Sequence, residues 1–229
     1  MRGFFFSLLC FGAILGSRAQ EHELGVFLGM SNYVGDIGEM TYIKPDNFAY
    51  GIVYKWNKHP RFALRGSLMF ANLKGDDDNS DLGSRLGRGL SFENNIMEVN
   101  AAFEFNFIPF EPYLDQTQTT PYVATGLSYF FMDQLRYPSS TNSVAEEYRP
   151  RKGDVSIPLM LGVKSNFLHD VILGFEIGAR YAFSDNLDGS FPSYSNAGIG
   201  NTNSNDWYFF TGITATILIG KSKKCYCYN

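Results

Sequence analysis

The chain has 229 residues, and its 19 Lys and Arg against 23 Asp and Glu give a formal net charge of −4, which argues against nucleic acid as a partner. Aromatic residues make up 16% of it and 23 positions are glycine, a composition that suits an exported all-β protein. Beyond the first twenty residues no long apolar run remains, so helical membrane spans are excluded.

The first element is a leader. Arg2 gives a positive start, Phe4 to Gly16 is apolar apart from Ser7, and Ser17-Arg18-Ala19 offers small residues where a signal peptidase reads them. This predicts a signal peptide over 1–19, a barrel domain over 20–220 and a short tail over 221–229. The apolar run is too short for a helix across a bilayer, which takes about 20 residues. Cys10 follows Leu9, where lipoprotein processing wants a small residue. Losing Arg2 and Arg18 moves the net charge from −4 to −6.

Eight stretches then alternate with period two, the signature of strands with one apolar and one polar face. The first, 23–34, sets Leu24, Val26, Leu28 and Met30 against Gly25, Phe27, Gly29 and Ser31. The second, 47–56, sets Phe48, Tyr50, Ile52, Tyr54 and Trp56 against Ala49, Gly51, Val53 and Lys55. The third, 62–73, sets Phe62, Leu64, Leu68 and Phe70 against Ala63, Arg65, Ser67 and Met69. The fourth, 91–107, contains "IMEVNAAFEFNF", with Met97, Val99, Phe103, Phe105 and Phe107 opposite Glu98, Asn100 and Glu104. The fifth and sixth, 121–132 and 154–165, carry Leu127 and Tyr129, then Ile157, Leu159 and Leu161. The seventh, 171–184, sets Phe175, Ile177 and Tyr181 against Glu176, Gly178 and Arg180. The eighth, 206–219, sets Phe209, Ile213 and Ile217 against Gly212, Thr214 and Thr216. These lengths match the roughly 9–11 residues that a tilted strand needs to cross a bilayer.

Connections after strands one, three, five and seven are long and polar, whereas "NKHPR" and "NFLHD" after strands two and six are tight; "IPFEPYLDQTQT" between four and five is intermediate. Long loops at one end and short turns at the other predict an eight-stranded antiparallel up-and-down transmembrane β-barrel in the outer membrane, with both termini periplasmic. Phenylalanines then face lipid. Arg65, Glu98, Glu104, Lys164, Glu176 and Arg180 face a closed polar lumen, because eight strands leave an interior that side chains fill. Buried charges must pair, and strand direction suggests Arg65 with Glu104 and Arg180 with Glu98. These residues read as a structural core rather than a proton path. Trp56, Phe62 and Phe107 at one end, and Tyr33, Phe131 and Trp207 at the other, read as aromatic girdles.

Candidate chemistry is sparse. His59 and His169 sit in predicted periplasmic turns and His22 before the first strand, no G-x-S-x-G elbow occurs, and neither an enzyme nor a cofactor is expected. The acidic run Asp76 to Asp81 lacks the Gly and Glu of a calcium loop, since Asp81 and Gly87 stand there; a solvated loop is the simpler reading.

Through "GMSNYVGD" (29–36), "ALRGSLMFANLKGDD" (63–77), "GRGLSFENNIMEVNAAFEFNF" (87–107), "TPYVATGLSYFFM" (120–132), "IPLMLGVKSNF" (157–167), "LGFEIGARYAFSDNLD" (173–188), "NDWYFFTGI" (205–213) and the tail "KKCYC" (223–227), the chain resembles the PorG family. That family is the small outer-membrane barrel of the type IX secretion system of Bacteroidetes. The resemblance implies a non-enzymatic anchor for a periplasmic ring built of the lipoprotein PorK and its partner PorN, in a machine that also serves gliding in some members. Cys225 and Cys227, the only cysteines after the leader, lie two residues apart in an extended tail. Side chains so spaced are roughly 7 Å apart, at the limit for a disulfide. A bridge to a ring subunit stands beside a strained internal bridge, a free pair and a weak metal site. The alternative function is a surface barrel that binds or adheres through its long loops.

Overall fold

The computed structural model describes residues 22–113, 116–138, 143–168, 171–184, 186–190 and 205–219. The predicted leader and the cysteine tail, including Cys225 and Cys227, lie outside the described residues, as does His169.

Eight strands form one closed barrel in sequence order: β1 (His22–Val34), β2 (Asn47–His59), β3 (Phe62–Asp76), β4 (Ser91–Asn106), β5 (Thr119–Arg136), β6 (Glu146–Ser165), β7 (Val171–Ala182) and β8 (Trp207–Ile219). Every neighbouring pair is antiparallel, and β1 closes the ring against β8 from His22 opposite Ile219 to Val34 opposite Trp207. Closure leaves no strand edge unpaired, the condition for a sheet in lipid.

The alternation decides which way each side chain points. Leu28, Ile52, Val99, Leu127, Leu159, Phe175 and Ile213 point outward around the whole circumference, and Leu127 is 62% exposed. A belt of that extent far exceeds the few hundred Å² of apolar patch found on water-soluble proteins. The wall therefore faces lipid, and the protein is a membrane-spanning β-barrel.

Three differences from the sequence expectation have physical causes. First, β5 and β6 run 18 and 20 residues and continue as a hairpin beyond the belt, with Gln134 opposite Arg149 and Arg136 opposite Glu146. The β6 arm is exposed on both faces and on the β5 arm Leu135 turns into the buried cluster, so no sustained hydrophobic period marks the extension. Second, the connection between β3 and β4 is not loose: it holds a 3-10 turn at Asp77–Asn79 and a single helical turn at Gly83–Leu86. Third, the lumen is not polar along its whole length. Towards the long-loop end it is packed with Phe27, Phe130, Tyr208 and Phe210, whose rings meet edge-on or tilted (Phe130 to Tyr208 5.5 Å, Tyr208 to Phe210 5.6 Å, Phe27 to Phe210 6.5 Å). Above them Tyr33 packs edge-on against Phe92 at 4.8 Å. Tyr33 is buried inside and is not part of the outer girdle, because it shares the parity of Phe27 and Ser31. Gly29 and Gly212 lie opposite each other and make room for this plug; a Cβ on Gly212 would come within 2.7 Å of the Phe27 ring.

Candidate functional site

Four carboxylates and four cations occupy the interior of the wall: Glu23, Glu98, Glu104 and Glu176 against Lys55, Arg65, Lys164 and Arg180, all buried. Each comes from a strand whose other face is apolar, so the pleat alone drives it inward. Glu104 on β4 is the hub. Its Oε1 accepts from Lys164 Nζ at 2.5 Å, its Oε2 lies 2.8 Å from Lys55 Nζ, and Arg65 Nη1 stands 3.9 Å away. Arg65 instead grips Glu176 with both Nη atoms, and the Tyr122 hydroxyl donates to Glu176 at 2.6 Å. The suggested Arg65–Glu104 pair is thus the weaker contact of Arg65, and Glu176 is its main partner. The difference arises because eight strands make a tube narrow enough for side chains to meet across it, not only along neighbouring strands.

The Arg180–Glu98 pair is present at 3.5 Å, where the Tyr208 hydroxyl also donates to Glu98 at 2.7 Å and the Arg180 guanidinium stacks 4.2 Å over Phe210. Glu23 accepts from Asn57 at 2.6 Å and Thr216 at 2.8 Å. Glu23 and Lys55 were missed as lumen charges, although Lys55 shares its face with Ala49, Gly51 and Val53. Equal numbers of opposite charges make a formally neutral packed set, in which Glu23 is held by neutral donors.

At the long-loop end the mouth is closed by the loops themselves. Asp77 accepts from the amides of Gly38 at 2.9 Å and Leu90 at 3.1 Å and pairs with Arg88 at 2.7 Å, while Arg88 and Arg85 also donate to carbonyls of Asp36, Gly35 and Gly38. Burial pushes the Asp77 carboxyl up, but Arg88 and the two amides outweigh it and hold it below the ordinary carboxylate range. The acidic run is therefore not all solvated: its second member is a latch between two loops. Nearby, the Tyr33 hydroxyl lies 2.5 Å from Asp206 Oδ1 and 2.9 Å from Asp188 Oδ2, and Leu187 is fully buried in the mouth. Burial pushes the Asp188 carboxyl up, with Asp36 adding to it.

At the turn end the connections are laced together. Arg61 donates to the Phe107 carbonyl at 2.8 Å, the amides of Asn106 and Phe110 donate to the carbonyls of Arg61 and Pro60, and Asn166 joins Gln118 and Gln116. Phe110 is buried under the lumen, with Lys164 Nζ 4.8 Å from its ring centre. Phe107, Ile108, Phe167 and Leu168 stay exposed on this face. His22, at the start of β1, meets the Tyr54 hydroxyl of β2 at 2.7 Å, and His59 Nδ1 accepts from the Arg61 amide at 3.1 Å within the β2–β3 turn. Among the described residues no group of three His, Cys, Asp or Glu is placed to hold a metal, and no helix is long and apolar enough to cross a membrane.

No curated protein matches the sequence. Solved structures similar to the chain include Neisserial surface protein A at 11% identity and a TM-score of 0.48, covering 86% of this chain and 97% of that one. They also include the outer membrane protein OprG of Pseudomonas aeruginosa at 6% identity and 0.46, covering 87% and 96%. The attachment invasion locus protein Ail of Yersinia pestis is similar at 10% identity and 0.42, covering 86% and 99%. A family described as a domain of unknown function, DUF6089, matches over residues 2–229, and the chain belongs to that family.

Proposed function

We propose that this protein is a non-enzymatic outer-membrane barrel that docks the periplasmic ring of a type IX secretion machine on its turn end. One observation carries the reading: the turn end is a laced, lumen-sealed surface that exposes Ile108, Phe167 and Leu168. A neutral, filled interior gives a substrate no path and gives an anchor rigidity. The resemblance to the PorG family supplies the identity of the partners, a PorK-type lipoprotein and a PorN-type ring protein. Cys225 and Cys227 would add a covalent tether in the oxidising periplasm.

Membranes separated on a non-reducing gel test it, with wild type beside Cys225→Ser/Cys227→Ser and an Ile108→Ser/Leu168→Ser pair. The expected result is a partner-sized shift lost in the cysteine variant, and loss of the ring protein from a detergent pull-down in the turn variant. Intact ring capture by both variants, together with lost function on replacing the long loops, overturns docking in favour of a surface-binding barrel. That second reading has its own observation. A cavity of about 240 Å³ at the loop end is lined by Asn32, Glu39, Lys44, Asp46, Lys74 and Asn79.

A further inference from the structure

The connection between β1 and β2 does not stand up into water. Asn32 continues the outward face of Leu28 and Met30, where a side chain should be exposed, yet it is only 3% exposed. Its Nδ2 donates to the backbone carbonyls of Tyr42 at 3.0 Å and Thr41 at 3.4 Å. The residue opposite it on β8, Phe209, is equally outward and equally covered, because the Tyr42 ring stands edge-on to it at 6.0 Å. The loop backbone is therefore pinned against the outside of the wall, at the height of Trp207 and Tyr181. Those rings meet edge-on with centres 5.1 Å apart in the girdle beside Phe209.

What the loop then shows to its surroundings is apolar. Met40, Tyr42 and Ile43 are 56%, 61% and 52% exposed. Other apolar residues of this end divide between buried (Ile37, Leu187) and exposed (Leu82, Leu86, Val144); Tyr42 is exposed and also stands against Phe209 of the outward wall. An Asn that spends its amide on holding such a segment beside the lipid belt extends that belt rather than a water-facing surface.

We propose that Met40, Tyr42 and Ile43 form a lipid-inserted hook, seated in the head-group and upper acyl region of the leaflet at the long-loop end. Bilayer lipid is the occupant because the patch is continuous with the lipid-facing wall through Tyr42, Phe209 and Trp207. Tyr is also the side chain suited to that boundary, with an apolar ring and a wet hydroxyl. The hook fixes the depth and rotation of the barrel, and it holds whether or not the turn end docks a secretion ring.

Depth-resolved quenching tests it. The two native tryptophans are replaced (Trp56→Phe, Trp207→Phe), and Tyr42→Trp or Ile43→Trp reports alone in nanodiscs holding one copy each. With bromines placed roughly 5–10 Å below the head-group plane, the depth to which interfacial apolar faces bury, emission should fall by about half. Aqueous iodide should change it little. Quenching by iodide without quenching by bromine would put the loop in water and overturn the hook. Protection from both would put protein over it and overturn it equally. Ile43→Trp keeps the test alive if Tyr42→Trp disturbs the contact with Phe209.

Discussion

Replacing Glu104 by Gln keeps the shape of the hub and removes its charge. Two ammonium groups at 2.5 and 2.8 Å and a guanidinium at 3.9 Å lose their shared counter-ion, and all three side chains are no more than 2% exposed. Breaking a buried pair by removing one partner costs about 3–5 kcal/mol, because the charge left behind has no water to turn to. The Gln oxygen still accepts one hydrogen bond and either lysine can shed its proton, so the loss should stay near that range despite three abandoned partners. Urea unfolding of the barrel folded in lipid vesicles reads it. With a slope of about 2–3 kcal/mol per molar, the midpoint should fall by roughly 1–2 M. Glu93→Gln is the control. Its pair with Lys74 at 3.0 Å is half exposed on both sides and should be worth about 0–1 kcal/mol. Adding Lys164→Met to Glu104→Gln restores the balance of charges, three against three, and should recover part of the loss, which a double-mutant cycle isolates. A Glu104→Gln cost below about 1 kcal/mol, equal to the control, would mean a wet lumen that screens its charges. The sealed-core argument would then fail.

Two further outcomes follow from the same geometry. Leu127→Arg places a cation on the lipid face at a position that is 62% exposed, and near the bilayer midplane this should cost about 2–4 kcal/mol in the vesicle assay; a neutral result would place that face in water. The two loop carboxyls should respond to pH in opposite senses. Asp77 is held below its ordinary value of 3.8, so its latch is at full strength above that pH and weakens as pH falls through the depressed value, exposing the Gly38 and Leu90 amides. Asp188 is pushed above 3.8, so the mouth segment it anchors is firmest below that pH and loosens as pH rises through the raised value. Amide protection factors at Gly38 and Leu90 against those at Leu187 and Ser190 check this, and parallel slopes at both sites would refute it.

How much of this was legible in the residues depends on where lipid imposes a period. All eight strands were, because each must alternate where one face meets lipid, and the parity of Arg65, Glu98, Glu104, Lys164, Glu176 and Arg180 follows from it. Partner choice was not. Arg65 takes Glu176 across the tube, from β3 to β7, and no one-dimensional pattern carries a distance across a lumen. Glu23 and Lys55 are readable by parity though absent from the expected lumen charges, and Tyr33, expected in the girdle, belongs to the plug because it shares a face with Phe27. The β5–β6 extension and the Asp77 latch left no period at all. The first is exposed along both faces of its β6 arm. The second depends on backbone amides of Gly38 and Leu90, which any residue supplies.

The distribution of the charged network says where the barrel is stiffest. Glu104 on β4 contacts cations from β2, β3 and β6; Arg65 on β3 carries the chain to Glu176 on β7, and Tyr122 brings in β5. Glu23 on β1 ties Asn57 of β2 and Thr216 of β8. Between them, these contacts join all eight strands across the lumen near the turn end. Such bonds are strong in a dry interior because no solvent competes for them, and breaking any one leaves an unpaired charge behind. The long-loop half is filled mainly by aromatic contact, with the Arg180–Glu98 pair set among the plug rings. A load applied at the turn end would therefore be shared by every strand through charge-assisted bonds. The same load at the loop end would fall first on the Asp77 latch and the Tyr33 contacts. That asymmetry suits attachment at the turn end, as the docking proposal has it, better than adhesion through the loops, and it ties the proposal to the stability of Glu104.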